Sequence, residues 1–244
     1  MRHPRFLVIL FLILHLSSSA QSHKIDSLKT LLQTADHDTT RINTLLALAR
    51  EVENNPDTAI LLSTQALELC AQLPLTIKRG QGQVPFRTHG TALSHRYLGI
   101  FNGRKGNLPL ALSHNFQALK ISEELQDKKG LAFNFGNIGV VYISQGDYPK
   151  ALEYYFKALK IGEELSDKKL IGGLLMNIGN IYDSQGDYPR ALEHQLRALK
   201  INEEIGNKTR IAFSLGNIGV VYTKWDDYPK ALEYYFKALK IDEE

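Results

Sequence analysis

Residues 130–169 read GLAFNFGNIGVVYISQGDYPKALEYYFKALKIGEELSDKK, and this stretch comes back. It returns forty residues later as Leu170 to Thr209, and again from Arg210 to Glu244. An earlier version occupies Gly90 to Lys129. Ala111, Ala151, Ala191 and Ala231 are spaced by forty, as are Ala118, Ala158, Ala198 and Ala238. A fixed period of about 20–50 residues marks a stacked repeat architecture, so it governs every other reading of the chain.

Inside the unit, Leu131 to Gln145 has the apolar spacing of a helix, and Gly146 suits a left-handed helix end. Asp147 is placed to cap a second helix whose first turn tolerates Pro149, because no partner for its missing N–H is needed there. That helix runs to about Leu165, and its apolar arc of Ala151, Leu152, Tyr155, Ala158 and Leu159 is wide enough to be covered from two sides. Gly139, Ala151 and Ala158 are small and let two antiparallel helices approach closely. One such hairpin cannot bury both faces alone and needs neighbours. The expectation is an all-α solenoid of antiparallel helix pairs.

The pattern Asn-Ile-Gly-x-x-Tyr, then Gly-Asp-Tyr-Pro-x-Ala-Leu, then Ala-Leu-Lys-Ile resembles the tetratricopeptide repeat (TPR), which implies a right-handed superhelical solenoid. Its carriers are Ile138, Gly139, Tyr142, Gly146, Tyr148, Ala151, Tyr155 and Ala158, with equivalents forty and eighty residues on. The forty-residue period is similar to the long-helix variety of kinesin light chains and Pins-type adaptors. Departures are few: Asn102 stands for Tyr142, Asn115 and Gln195 for Tyr155, and Asp226 for Gly146. Asp226 is therefore expected to carry a backbone cost at a left-handed position.

The flanks divide as follows. Residues 1–20 have the outline of a secretory signal peptide: Arg2 and Arg5, an apolar run from Phe6 to Leu16, then Ser17 to Ala20. Cleavage after Ala20 would leave Gln21 first. The run is interrupted by His15 and is short for a membrane span. Residues 21–38 hold a capping helix, with Ile25, Leu28, Leu31 and Leu32 on one face. Residues 39–73 form a divergent hairpin in which Ala59 and Ala66 repeat the spacing of Ala151 and Ala158. Ala59 to Ala111 is fifty-two residues, so twelve extra residues fall in 74–89, a segment with Pro74, Gly80, Gly82 and Pro85 that reads as a loop insertion. The regular repeats are 90–129, 130–169, 170–209 and 210–244.

Composition excludes several classes of function. Without residues 1–20 the basic count falls from 29 to 27 against 26 acidic residues, a net charge near +1, and no basic block suggests nucleic acid. Cys70 is the single cysteine, so no intramolecular disulfide is possible, and its place late in a helix suits a small apolar filler. The eight histidines show no metal-ligand spacing, and His114 and His194 read as surface or groove residues. Glu163–Glu164 and Glu203–Glu204 read as solvated helix ends and not as an acid/base pair. No phosphate-binding loop is present, and neither catalytic residues, a metal nor a cofactor is expected.

The recurring polar constellation is Asn137, Asn177 and Asn217, at one place on three successive first helices. The TPR resemblance implies that these helices line the concave groove and that an asparagine here holds the backbone of an extended peptide. An amide can donate and accept at once, which matches a peptide group without reading its side chain. Neighbouring groove positions are Phe133, Val140 and Ser144, then Asn180 and Ser184, then Phe213, Val220 and Lys224. The competing role for the asparagines is bracing between adjacent repeats. Tyr142, Tyr182 and Tyr222 read as inter-helix packing.

The resulting expectation is a non-catalytic scaffold for a protein or extended peptide, exported to the periplasm or cell surface. Exported arrays with this opening helix resemble the sensory regions of bacterial signalling proteins. A free-standing scaffold and a fragment of an enzyme are the alternatives. Because the last helix ends at Ile241-Asp242-Glu243-Glu244 without a polar closing helix, the array is expected either to be truncated there or to associate through that end.

Overall fold

The computed structural model describes residues 19–73 and 86–242, all of it helices and the short turns that join them. Most of the expected signal segment and of the loop insertion therefore lies outside the described residues. Two ends of those segments are inside. Ser19 and Ala20 open the first helix, α1 (Ser19–Thr34), so the expected cleavage point falls in its first turn. Phe86 to His89 belong to helix and not to the loop, because α4 (Phe86–Arg104) continues back through Gly90, whose carbonyl accepts the Ser94 hydroxyl at 2.8 Å.

The chain forms two compact units, one ending at Gly130 and one beginning at Leu131. In the first, α1 packs on α2 (Asp38–Glu51), then α3 (Pro56–Gln72), α4 and α5 (Leu108–Glu124) follow, each against its predecessor. Their core is aliphatic apart from Phe101: Ile25, Ile42, Leu45, Leu48, Ala59, Leu62 and Ala66 are buried, and Cys70 is fully enclosed among them as an apolar filler.

The second unit contains α6 (Lys128–Ser144) from Leu131 on, then α7 (Tyr148–Glu164), α8 (Lys168–Ser184), α9 (Tyr188–Glu204), α10 (Lys208–Lys224) and α11 (Tyr228–Asp242). Its core runs through Tyr155, Leu175, Ile178, Ile181, Ile218 and Val221, with Ala151, Ala158, Ala191 and Ala198 where helices meet closely.

Turn chemistry explains why the helices break where they do. Gly106, Gln126, Gly146, Ser166, Gly186, Gly206 and Asp226 all have φ between +53° and +81°, one every twenty residues. Except at Asn107, the side chain of the next residue then caps the following helix. Asp147 accepts from the Lys150 amide at 3.1 Å, Asp167 from Leu170 at 3.0 Å and Asn207 from Arg210 at 3.0 Å. Asp147 N–H also donates back to the Tyr142 carbonyl and Gly146 N–H to Ile143, both at 2.9 Å, closing the preceding helix. Asp226 takes the expected left-handed conformation, with φ +58°.

Within each hairpin the small residue of the first helix faces the side chain sixteen positions on. Asn115 lies over Gly99, Tyr155 over Gly139, Gln195 over Gly179 and Tyr235 over Gly219. The two departures from tyrosine are thus core positions, and both Asn115 and Gln195 are fully buried. Among the described residues no helix is long and apolar enough to cross a membrane.

Candidate peptide-binding face

The candidate face lies wholly in the second unit, on the first helices α6, α8 and α10. These are direct neighbours. A Cβ on Gly136 of α6 would meet Leu174 of α8 at 3.7 Å, and Lys224 of α10 reaches Asp183 of α8. On α6, Phe133, Asn137, Val140 and Ser144 follow at i, i+4, i+7 and i+11, which puts them on one helical stripe. The equivalent stripes are Gly173, Asn177, Asn180 and Ser184 on α8, and Phe213, Asn217, Val220 and Lys224 on α10.

These stripes face outward. Val140 is 50% exposed and Phe213 61%, while Phe133 and Val220 are also open to solvent. The asparagines are half-buried at their bases. Their amides do different things. Asn217 Nδ2 donates to Gln195 Oε1 at 3.5 Å, a long contact that braces α10 to α9. Neither Asn137 nor Asn177 makes a side-chain hydrogen bond among the described residues.

Gln195 was legible only as a departure from the tyrosine pattern, and its role is spatial. It rises from α9 between α8 and α10, and its Nε2 donates to Asn180 Oδ1 at 2.7 Å and to the Met176 carbonyl at 3.1 Å. A buried amide therefore ties two positions of the face, Asn180 and Asn217, to the hairpin beneath. Ser144 and Ser184 turn their hydroxyls onto their own helices, donating to the carbonyls of Val140 and Asn180 at 3.1 and 2.9 Å. Lys224 is not a free charge: its ammonium donates to Asp183 Oδ2 at 2.6 Å.

A second feature is invisible in the repeat pattern. The guanidinium of Arg210 lies across Gly173, where an added Cβ would meet Arg210 Nη1 at 3.2 Å, and that Nη1 donates to the Lys169 carbonyl. Sequence marks these positions only as breaks in the period, since Gly173 stands between Phe133 and Phe213, and Arg210 follows Gly130 and Leu170.

The tyrosines expected to pack between helices do so. Tyr142 stacks on Tyr154 with centroids 5.5 Å apart, Tyr222 on Tyr234 at 5.6 Å, and Tyr182 meets the edge of His194 at 5.4 Å. His194 is a correction to the surface reading. It is buried between Tyr182 and Phe156, at the place that the half-buried Tyr154 and Tyr234 hold in neighbouring repeats. His114 is half-buried against His95, with their Nδ1 atoms 3.0 Å apart. Among the described residues no group of three or more His, Cys, Asp or Glu side chains could hold a metal ion.

Against known protein families, the tetratricopeptide-repeat model matches residues 90–164 and 170–244, more than half of the chain. The chain belongs to the tetratricopeptide-repeat family. No curated protein matches it. Among solved structures, BtubC (BKLC) from P. vanneervenii superposes with a TM-score of 0.70 at 22% identity, over 92% of this chain and 89% of that one. A Rap protein complexed with Competence and Sporulation Factor gives 0.71 at 16% identity, over 92% and 71%. A putative kinesin light chain from Podosopora anserina, with nearly identical TPR-like repeats, gives 0.63 at 16% identity, over 85% and 97%. These likenesses establish the TPR fold, and the kinesin light chain among them agrees with the forty-residue repeat type. Function rests on the faces of this chain.

Proposed function

We propose that this TPR chain is a non-catalytic scaffold whose α6–α8–α10 face binds an extended peptide segment of a partner protein. The carrying observation is the unspent amides of Asn137 and Asn177 on an outward stripe, flanked by exposed Phe133, Val140, Phe213 and Val220. Each neutral hydrogen bond contributes only about 0.5–1.5 kcal/mol, so the row works as a set. The Rap protein complexed with Competence and Sporulation Factor lends support, as a protein of this fold that takes a partner.

The test is selection of peptides from a displayed random library on residues 21–244, followed by fluorescence anisotropy with the selected sequences. Asn177→Ala is expected to weaken binding several-fold while melting stays nearly unchanged. A sharp fall in melting temperature with unaltered affinity assigns the asparagines to bracing and removes the groove reading.

The signal-like residues 1–20 support export, with the scaffold acting as the sensory or interaction region of a bacterial signalling protein. Expression in a Gram-negative host should yield extracytoplasmic protein starting at Gln21. An intact Met1 on cytoplasmic protein would remove that localisation.

A further inference from the structure

We propose that the exported chain carries a Cu(II) site at its new N-terminus. Its four donors are the Gln21 amine, the main-chain nitrogens of Ser22 and His23, and the His23 imidazole. This rests on the export reading, with cleavage after Ala20, and is independent of the peptide-binding face.

Cleavage after Ala20 leaves Gln21-Ser22-His23 at the start, with a histidine in third place. From third place Nδ1 closes a small ring with the main-chain nitrogen of its own residue. The amine and the two main-chain nitrogens close rings with one another in the same way. The product is a plane of four nitrogens around a single ion. Such a plane suits Cu(II) or Ni(II), and Cu(II) heads the affinity order of the divalent metals. Three of the four donors belong to the main chain, so no spacing among the histidines reveals the site.

The fold makes those main-chain nitrogens available. In an α-helix each amide donates to the carbonyl four residues back. For Ser22 and His23 these acceptors stand at positions 18 and 19, ahead of the cleavage point, so cleavage leaves neither amide a helical bond to give up. The His23 side chain is exposed. The residues on either side of this turn are held elsewhere. Gln21 Nε2 donates to the Glu51 carbonyl at 2.7 Å, and Lys24 Nζ pairs with Glu51 Oε1 at 2.8 Å. Both anchor the start of α1 to the end of α2 and leave the imidazole to solvent. The first contact also occupies the side-chain amide through which an N-terminal glutamine would cyclise onto its own amine.

The protons balance simply. The two amide protons pass to solvent, as does the proton of an amine whose ordinary pKa is about 7.7–8.0. The imidazole binds in its neutral form, and the metal stays divalent.

The experiment adds Cu(II) to residues 21–244, released from a fusion so that Gln21 comes first, with glycine present as a competing chelator. Visible absorption and electron paramagnetic resonance should report one tetragonal, four-nitrogen Cu(II) per chain. His23→Ala should lose that signal. A chain of residues 20–244 should lose it too, because Ala20 moves His23 to fourth place while every histidine is kept. Zn(II), whose filled d shell gains nothing from a planar field, should not displace the copper. His114→Asn should leave the signal unchanged, although His95 and His114 also bring two imidazole nitrogens together.

A four-nitrogen signal that survives in His23→Ala or in residues 20–244 overturns the site. Copper lost in His114→Asn and kept in His23→Ala assigns the metal to the histidine pair and overturns it as well. No such signal in residues 21–244 overturns the site and leaves the export reading intact. Mass spectrometry of the exported chain completes the test. A first residue other than Gln21 overturns the site together with the cleavage point, and a Gln21 that has lost ammonia by cyclisation overturns the site alone.

Discussion

The ring of Tyr155 lies so close to Gly139 that a Cβ on the glycine would stand 3.0 Å from ring carbon Cε1 and 3.1 Å from Cζ. Tyr155 is buried, so the ring has little room to retreat. Three residues earlier on the same helix, a Cβ on Gly136 would meet only Leu174 at an ordinary 3.7 Å. The two glycines should therefore respond oppositely to alanine. Gly139→Ala is expected to cost about 1–2 kcal/mol, overpacking outweighing the gain in helix propensity. Gly136→Ala should stabilise by about 0.5–1 kcal/mol, by restricting the unfolded chain. Urea denaturation reads both, and equal signs would sink the argument.

Asp226 holds a left-handed conformation that Gly146 and Gly186 occupy in the two preceding hairpins. An L side chain is disfavoured there, though Asp less than most. Asp226→Gly should raise stability by a few tenths of a kcal/mol to about 1 kcal/mol, despite losing the exposed contact from the Tyr228 hydroxyl at 3.0 Å. A lower melting temperature in the variant would show that this contact outweighs the backbone cost.

His95 and His114 make the first unit sensitive to acid. Burial, with His114 beside it, pushes His95 down to about 4, and burial lowers His114 as well. Below about pH 6.5, an ordinary histidine value, the unfolded chain takes up protons that the folded hairpin refuses. The pair's contribution to stability is therefore whole above about pH 6.5 and lost as pH falls toward about 4. His114→Asn should flatten the dependence of melting temperature on pH across this window. An unchanged slope would show that the pair does not titrate as placed.

His194 is buried with no hydrogen-bond partner on either ring nitrogen, and its ring is met edge-on by Tyr182 and Phe156. Burial holds it below the usual histidine value, so the neutral form carries unsatisfied polar atoms at pH 7. His194→Phe keeps an aromatic ring at a place where other repeats have tyrosine. It should stabilise by about 1 kcal/mol at neutral pH, the saving on an unpaired buried polar group. Thermal melting that moves downward would mean the imidazole is satisfied in solution.

Much of the architecture was legible from residue order alone. The forty-residue period, the hairpin within it, the Gly146–Asp147 turn and the strained Asp226 all follow from interactions that act within about one helical turn or one loop. The period-twenty recurrence of left-handed positions was only half visible, because Gln126 and Ser166 adopt positive φ without being glycine. The outward stripe of Asn137, Asn177 and Asn217 could also be placed, since helical spacing decides which side chains share a face.

Which partners those side chains meet was decided by the tertiary structure. Lys224 reaches Asp183 and Arg210 reaches the Lys169 carbonyl, each across forty-one residues, and Gln195 joins Asn180 to Asn217 from the helix beneath. His194 is buried because the rings of Tyr182 and Phe156 close over it, although its own neighbours in sequence are polar. Local propensity sets the shape of a repeat. The rotation and offset between successive repeats set which side chains come within bonding distance, and that relation is a property of packed helices and not of any linear pattern.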